Sequence, residues 1–192
     1  MKALLISGSP RKNGNTHILL NRCAEKLVSA GIETEIVLLS EKPVKPCIAC
    51  GVCRQMADRS CAVNGSDDHF DYVFKAMCDS EIIVTGSPVY FGSATPDLMA
   101  LLDRAGYVSR ANGNVLSRKI GGPIVVARRA GQNFTYAQLM YWYLINDMIV
   151  PGSSYWNVAF GREPGEVEND NEGLLTIDRF VENLIWLAGK LF

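Results

Sequence analysis

Lys2-Ala3-Leu4-Leu5-Ile6 runs straight into Ser7-Gly8-Ser9-Pro10-Arg11-Lys12-Asn13-Gly14-Asn15-Thr16, and a helical pattern follows at once. The short apolar run reads as a buried strand. From Asn15 to Ala30, the residues Ile18, Leu19, Cys23, Leu27 and Val28 share one helical face, and Gly31 is a C-terminal stop. The intervening loop fits neither G-x-G-x-x-G nor the G-x-x-x-x-G-K-S/T pattern. It is rich in hydroxyls and amides instead. Ser9, Asn13, Asn15 and Thr16 offer hydrogen-bond donors, and the exposed N–H groups and dipole of a helix N-terminus favour an anion. With only Arg11 and Lys12 nearby, a phosphate monoester suits this loop better than a triphosphate with magnesium. The competing reading is an ordinary strand-to-helix turn capped by Asn15 or Thr16.

The same alternation continues along the chain. Glu33 to Leu39 reads as a second strand, Glu81 to Thr85 as a third, Ile120 to Ala127 as a fourth and Ile149 to about Ser153 as the start of a fifth. Between them, Asp67 or Asp68 caps a helix to about Cys78, and Pro96 opens a helix through Arg104. Gly106 to Lys119 reads as an exposed excursion, Thr135 to Met148 as a helix, Phe160 to Gly173 as a loop and Leu174 to Leu191 as a closing amphipathic helix. Apolar strands without strict alternation predict a parallel sheet covered on both faces. Right-handed crossovers then give a doubly wound α/β fold. Five strands suit the flavodoxin-like order 2-1-3-4-5, in which ligands bind beyond the carboxyl ends of the strands.

Length and composition bound the alternatives. The 192 residues predict one domain, 1–192, with an irregular cysteine-rich loop over about 40–66. Scaling rules give about 9,000 Å² of folded surface against about 31,000 Å² unfolded, which leaves a core that needs no disulfides. Nineteen Lys and Arg against twenty Asp and Glu give a net charge of −1, which argues against nucleic acid or an anionic membrane as partner. The longest apolar run, Leu139 to Ile145, is far short of a membrane span, and the apolar stretch at the start is too short for a signal peptide. A cytoplasmic location is expected.

A second loop, Thr85-Gly86-Ser87-Pro88-Val89-Tyr90-Phe91-Gly92-Ser93, leaves the third strand at the same sheet edge as the anion loop. Its stiffened backbone can pair with the carbonyl and imide edge of a heterocycle, and Tyr90 and Phe91 offer walls for a planar ring. The alternative is a turn that simply buries two aromatics. With Ser9 to Thr16, the segment Ser87 to Ser93 resembles the NADPH-dependent FMN reductase family, over Met1 to roughly Phe160. The resemblance implies a flavodoxin-like fold, FMN and a dimer or tetramer. It implies that Ser9, Arg11, Asn13, Asn15 and Thr16 hold the FMN phosphate. Pro88, Val89, Tyr90, Phe91 and Gly92 would then hold the isoalloxazine ring. The family's third loop maps to Ala127-Arg128-Arg129-Ala130-Gly131-Gln132, which adds Arg128 and Arg129.

Four of the six cysteines fall within fifteen residues, as Cys47, Cys50, Cys53 and Cys61 in the pattern C-x2-C-x2-C-x7-C. Steps of three wrap closely around one inorganic cluster, and the first three cysteines are spaced as in a ferredoxin-type run, whose fourth cysteine serves another cluster. Structural zinc usually takes two C-x2-C knuckles separated by a longer stretch. A cluster-free protein with thiol-reactive cysteines is the other alternative. Here the resemblance sharpens to the iron–sulfur flavoproteins, and implies that these four cysteines ligate one [4Fe-4S] cluster. Cys23 and Cys78 read as buried small hydrophobes.

No G-x-S-x-G, H-E-x-x-H or Walker lysine is present, and His17 and His69 lie in or beside helix starts without a nucleophile partner. No protein residue is expected to be catalytic, because a flavin needs no protein acid or base to pass electrons. The leading expectation is an electron-transfer oxidoreductase using FMN and [4Fe-4S], with ferredoxin or NAD(P)H as donor and a small molecule as acceptor. A cluster-free NAD(P)H-dependent FMN or quinone reductase, or a non-enzymatic flavodoxin-like carrier, are the alternatives. Tyr136, Leu139, Met140, Tyr141, Trp142, Tyr143, Leu144 and Ile145 make the helix from Thr135 apolar nearly all round. That surplus predicts a homodimer or homotetramer, unless the Phe160–Gly173 loop folds over it.

Overall fold

The computed structural model describes residues 1–63 and 65–192. The strands are β1 (Lys2–Ser7), β2 (Glu33–Leu38), β3 (Ile82–Pro88), β4 (Ile120–Ala127) and β5 (Val158–Phe160). They form one parallel sheet in the order β2-β1-β3-β4-β5, the flavodoxin-like order expected. Ala3 pairs with Thr34 on one side and with Ile82 on the other, which sets the register of the central strands.

The helices are α1 (Asn15–Ser29), α2 (Val52–Met56), α3 (Phe70–Asp79), α4 (Pro96–Ala111), α5 (Gln132–Ile145) and α6 (Asn171–Leu191). Alternate strand residues serve opposite cores. Leu4, Ile6, Ile83 and Val125 meet Phe70, Leu101, Leu139 and Tyr143 from α3, α4 and α5. Ala3, Leu5, Val84 and Val126 meet Leu20, Leu27, Phe180 and Leu184 from α1 and α6. Both faces are therefore apolar, which removes the period of two from the sequence. The accessible surface, 9338 Å², matches the about 9,000 Å² expected of a closed chain of this mass, so the core is complete within one chain.

Several boundaries differ from the sequence expectation. The fifth strand is Val158–Phe160, not Ile149–Ser153. On the β5 side of β4, Gly121 N–H donates to Ile149 O at 3.1 Å and Val125 N–H to Asn157 O at 2.9 Å. Pro123, between them, has no N–H to give. Pairing breaks there, the chain loops out, and only an isolated bridge marks Ile149.

α4 extends past Arg104 to Ala111, so the irregular connection starts only at Asn112, and it is mostly half-buried around a buried Leu116 rather than exposed. Trp142 Nε1 donates to Leu102 O at 2.7 Å and lies 3.4 Å from where a Gly106 Cβ would stand. The small residue admits the indole without stopping the helix. α5 starts and ends three residues early, at Gln132 after Gly131 in the left-handed region. β3 runs on to Pro88, and a 3-10 turn (Glu166–Asn169) interrupts the loop before α6. The cysteine segment contains the unexpected short helix α2, and His17 and His69 are half-buried.

Candidate functional site

The loop after β1 is built around Ser9, which is buried. Its Oγ accepts from Arg11 N–H at 3.2 Å and donates to Arg11 O at 3.3 Å, and Gly14 N–H closes the turn on Arg11 O at 3.1 Å. Gly8 is pressed so closely against α4 that a Cβ would lie 2.6 Å from Thr95 Oγ1. Neither Asn15 nor Thr16 caps α1. Gly14 occupies the cap position and supplies no side chain, and the first-turn N–H groups of Asn15 and Thr16 find no acceptor among the described residues. Those donors and the helix dipole are what an anion would meet.

The loop borders a cavity of about 290 Å³ whose walls include Ser9, Arg11, Asn15, Thr16, Pro88, Val89, Tyr90 and Arg128. Eight sequence candidates thus come together. Asn13, Phe91, Gly92 and Arg129 are not among the lining residues. The second loop explains Phe91. Tyr90 and Ser93 exchange backbone hydrogen bonds at 2.9 and 3.0 Å, and Phe91 and Gly92 between them turn through φ of 52° and 79°. That tight reversal holds Tyr90 against the cavity and leaves Phe91 fully in solvent. Val89 N–H donates to Val126 O at 2.9 Å, which fixes the strand end beneath it.

Gly161, Arg162 and Glu163 complete the cavity and carried no signal in the sequence reading. The segment after β5 folds back over α1 and is pinned by Asn15. Asn15 Nδ2 donates to Glu163 O at 2.9 Å, and its Oδ1 accepts from Gly165 N–H at 2.9 Å. A Cβ on Gly161 would lie 2.7 Å from that same Nδ2, so only glycine fits there. Gly161, Pro164 and Gly165 mark a turn in the sequence but not what it packs on. Arg11, Arg128 and Arg162 line the cavity with Glu163, whose carboxylate pairs with Arg162 Nε at 3.1 Å, which leaves two positive charges in excess. Arg11 Nη1 also donates to Arg162 O at 3.3 Å. A cavity with that charge excess and free helix N–H groups fits a phosphate.

A second cavity, of about 270 Å³, is lined by Cys47, Cys50, Cys53 and Cys61 together. All six cysteines are free thiols. Ala49 and Gly51, at φ of 53° and 74°, reverse the backbone between successive cysteines, and α2 carries Cys53. Ala49 N–H lies 3.4 Å from Cys47 Sγ. No three His, Cys, Asp or Glu side chains among the described residues converge on a single metal-ion position. Cys23 is fully buried and Cys78 half-buried, burial raises the pKa of both thiols, and neither lines the cavity of the four.

Sequence reading missed the residue behind this cavity. Arg104, a wall residue, forms a fully buried ion pair with Asp68 at 2.7 Å, and Phe70 lies beneath the guanidinium at 4.0 Å. Removing one partner of such a pair costs about 3–5 kcal/mol, since the other charge is left buried and alone. Nothing in the local spacing marks Arg104, because Asp68 lies thirty-six residues away.

The sheet order and the loops gathered at its carboxyl edge define a flavodoxin-like protein. Residues 1–163 match the model of the NADPH-dependent FMN reductase family. An iron–sulfur flavoprotein of Methanocaldococcus jannaschii is 37% identical over 92% of this chain and 91% of its own. The iron–sulfur flavoprotein of Methanosarcina thermophila is 33% identical over 96% of this chain and 93% of its own. The chain therefore belongs to the NADPH-dependent FMN reductase family, within its iron–sulfur flavoprotein branch, and is a flavin-dependent oxidoreductase. Among solved structures, RosB with bound 8-demethyl-8-formylriboflavin-5'-phosphate superposes with a TM-score of 0.77 at 19% identity, covering 100% of this chain and 80% of that one. At that identity the likeness speaks for the fold alone. No described helix is long and apolar enough to cross a membrane.

Proposed function

We propose that the protein is an electron-transfer oxidoreductase that holds FMN in the arginine-lined cavity and a [4Fe-4S] cluster on Cys47, Cys50, Cys53 and Cys61. The observation that carries the reading is that all four clustered thiols line one cavity. A single zinc ion needs its sulfurs about 2.3 Å from one point, whereas a cubane presents its irons at separate corners. Four cysteines around one cavity match the four-cysteine ligation of such a cluster.

For FMN, the first-turn N–H groups of α1, Ser9, Thr16 and Arg11 would take the phosphate, with Arg128 and Arg162 balancing its charge. Pro88, Val89 and Tyr90 would flank the ring. Bound FMN accepts electrons in pairs and returns them singly, and the cluster carries them one at a time. The chain's own work is to bind, orient and shield the two centres. Both loops leave the carboxyl edge of the sheet, β1 feeding the first and β2 the second. NAD(P)H or ferredoxin is the proposed donor and a small molecule the acceptor.

The protein is also proposed to act as a homodimer or homotetramer. The loop at 160–173 lies over α1 through Asn15 rather than over α5, and Phe134, Tyr141, Leu144 and Ile145 stay exposed.

Anaerobic purification followed by flavin, iron and acid-labile sulfide analysis tests the reading. Stoichiometric flavin with iron and sulfide is expected. Flavin without iron, and flavin reduction by NAD(P)H that survives Cys50→Ser and Cys53→Ser, would replace it with a cluster-free reductase.

A further inference from the structure

Both ends of the cysteine loop are held by one side chain. Arg104 Nη1 donates to Lys45 O at 3.1 Å, two residues before Cys47. Its Nη2 donates to Val63 O at 2.5 Å, two residues after Cys61. Asp68 takes the same Nη1 through both carboxylate oxygens, at 2.9 and 2.7 Å. The guanidinium is thus used on its two terminal nitrogens, and the loop is cinched at its neck. The third nitrogen is different. Arg104 Nε is buried and has no acceptor among the described residues, although Arg104 forms part of the wall around the four thiols. A buried donor left over in an otherwise complete network calls for a partner that the described residues do not supply.

Sulfur atoms gathered by Cys47, Cys50, Cys53 and Cys61 would be that partner. They carry negative charge, and hydrogen bonds to them raise a cluster's reduction potential. We propose that Arg104 is the positioning residue of the cysteine loop and that its Nε–H donates to the sulfur held there. The inference rests on the [4Fe-4S] reading above. Lysine is no substitute. A single ammonium keeps the charge beside Asp68 but lacks the fork that spans two carbonyls and a carboxylate.

The test compares anaerobically reconstituted wild type, Arg104→Lys and Asp68→Asn by iron and sulfide analysis and by an EPR-monitored redox titration. Arg104→Lys is expected to retain iron while its one-electron equilibrium shifts at least tenfold toward the oxidised cluster, about 59 mV lower. Asp68→Asn keeps the Nε–H and removes a negative charge, so its potential stays or rises. A residue that merely orders the loop would expose the cluster in both variants and move both potentials the same way. That result, or an unchanged potential in Arg104→Lys, overturns the proposal. A wild type without iron overturns the [4Fe-4S] reading together with it, whereas iron without the shift overturns this inference alone. Arg54 is the other arginine on the wall of this cavity, so where Arg104→Lys does not fold or hold iron, pulsed EPR of the Arg54→Lys protein with isotope-labelled arginine decides. Coupling between the reduced cluster and an arginine nitrogen supports the proposal, and no coupling overturns it.

Discussion

Asn15 ties the first turn of α1 to Glu163, one hundred and forty-eight residues along the chain, by an Nδ2–H···O bond of 2.9 Å. The same amide accepts from Gly165 N–H at 2.9 Å, so one side chain satisfies the return loop from both directions. The residue that begins the anion loop's helix therefore also brings Arg162 to the cavity.

Asn15→Ala is expected to weaken FMN binding by loosening that loop rather than by removing a phosphate contact. Loss of the buried bonds costs about 1–3 kcal/mol of stability. Thermal unfolding of the apoprotein and FMN fluorescence titration should both register the change. A variant that binds FMN as the wild type does would separate the 161–167 loop from the site.

Arg11→Ala should weaken FMN by about 1–3 kcal/mol, the range for a charge-assisted bond to a phosphate. Arg11 is exposed, so the apoprotein should unfold at an unchanged temperature. Asn13 is exposed too and lies off the cavity wall, so Asn13→Ala should titrate like the wild type. Equal affinities for Arg11→Ala and wild type would move the phosphate elsewhere.

What the sequence made legible was local. Lys2–Ile6 with the following helix, the run Ile120–Ala127 and the cysteine spacing each carry their signal within a dozen or so neighbours. The features hidden from a local reading depend on partners far away. The edge pairing of β4 is interrupted by Pro123, and that gap becomes visible only when Ile149 and Asn157 are seen on either side of it. Asn15 reads as a phosphate donor until Glu163 claims its amide. Arg104 reads as a helix end until Asp68, Lys45 and Val63 close around it. Phe91 reads as a ring wall because aromatic identity is visible in a sequence and its positive φ is not.

Asp178 supplies a pH-dependent link between the helices on one face. Arg22 on α1 grips it with two bonds, at 2.7 and 2.8 Å, and Lys26 lies at 3.5 Å. Burial pushes the Asp178 carboxyl up, but Arg22 and Lys26 outweigh it and hold the pKa below the usual carboxylate value. A depressed folded pKa stabilises the protein above the unfolded pKa of about 3.9, and that contribution fades as pH falls through the folded value. Since Arg22 is more than one-third exposed, screening limits the pair to about 1 kcal/mol. Asp178→Asn should be less stable than wild type by that amount in denaturant melts at pH 7, with the gap closing in acid below the folded pKa. A gap that persists there would assign the loss to packing.

The surface of α5 sets the last expectation. Gln138 and the Asn146 that follows the helix are turned inward. Gln138 Oε1 accepts from Ser93 Oγ at 3.0 Å and from Ala94 N–H at 2.9 Å, and Asn146 is fully buried with Nδ2 donating to Trp142 O. Phe134, Tyr141 and Ile145, spaced to share a helical face, are 77%, 71% and 61% exposed instead. A helix that turns Gln138 inward and shows Phe134 and Tyr141 departs from the usual amphipathic arrangement, and aromatics are what interface centres gather. Each of these side chains would contribute about 1.5–3 kcal/mol on full burial, so a self-complementary face of this kind can hold a dimer together. Tyr141→Asp and Ile145→Asp should shift the mass measured by sedimentation velocity at micromolar concentration toward a single chain, while each chain keeps its fold and far-UV spectrum. The core on the sheet side of α5, centred on Leu139 and Tyr143, is untouched by either change. A wild type that already sediments as one chain would leave this face without a partner and exclude assembly through α5.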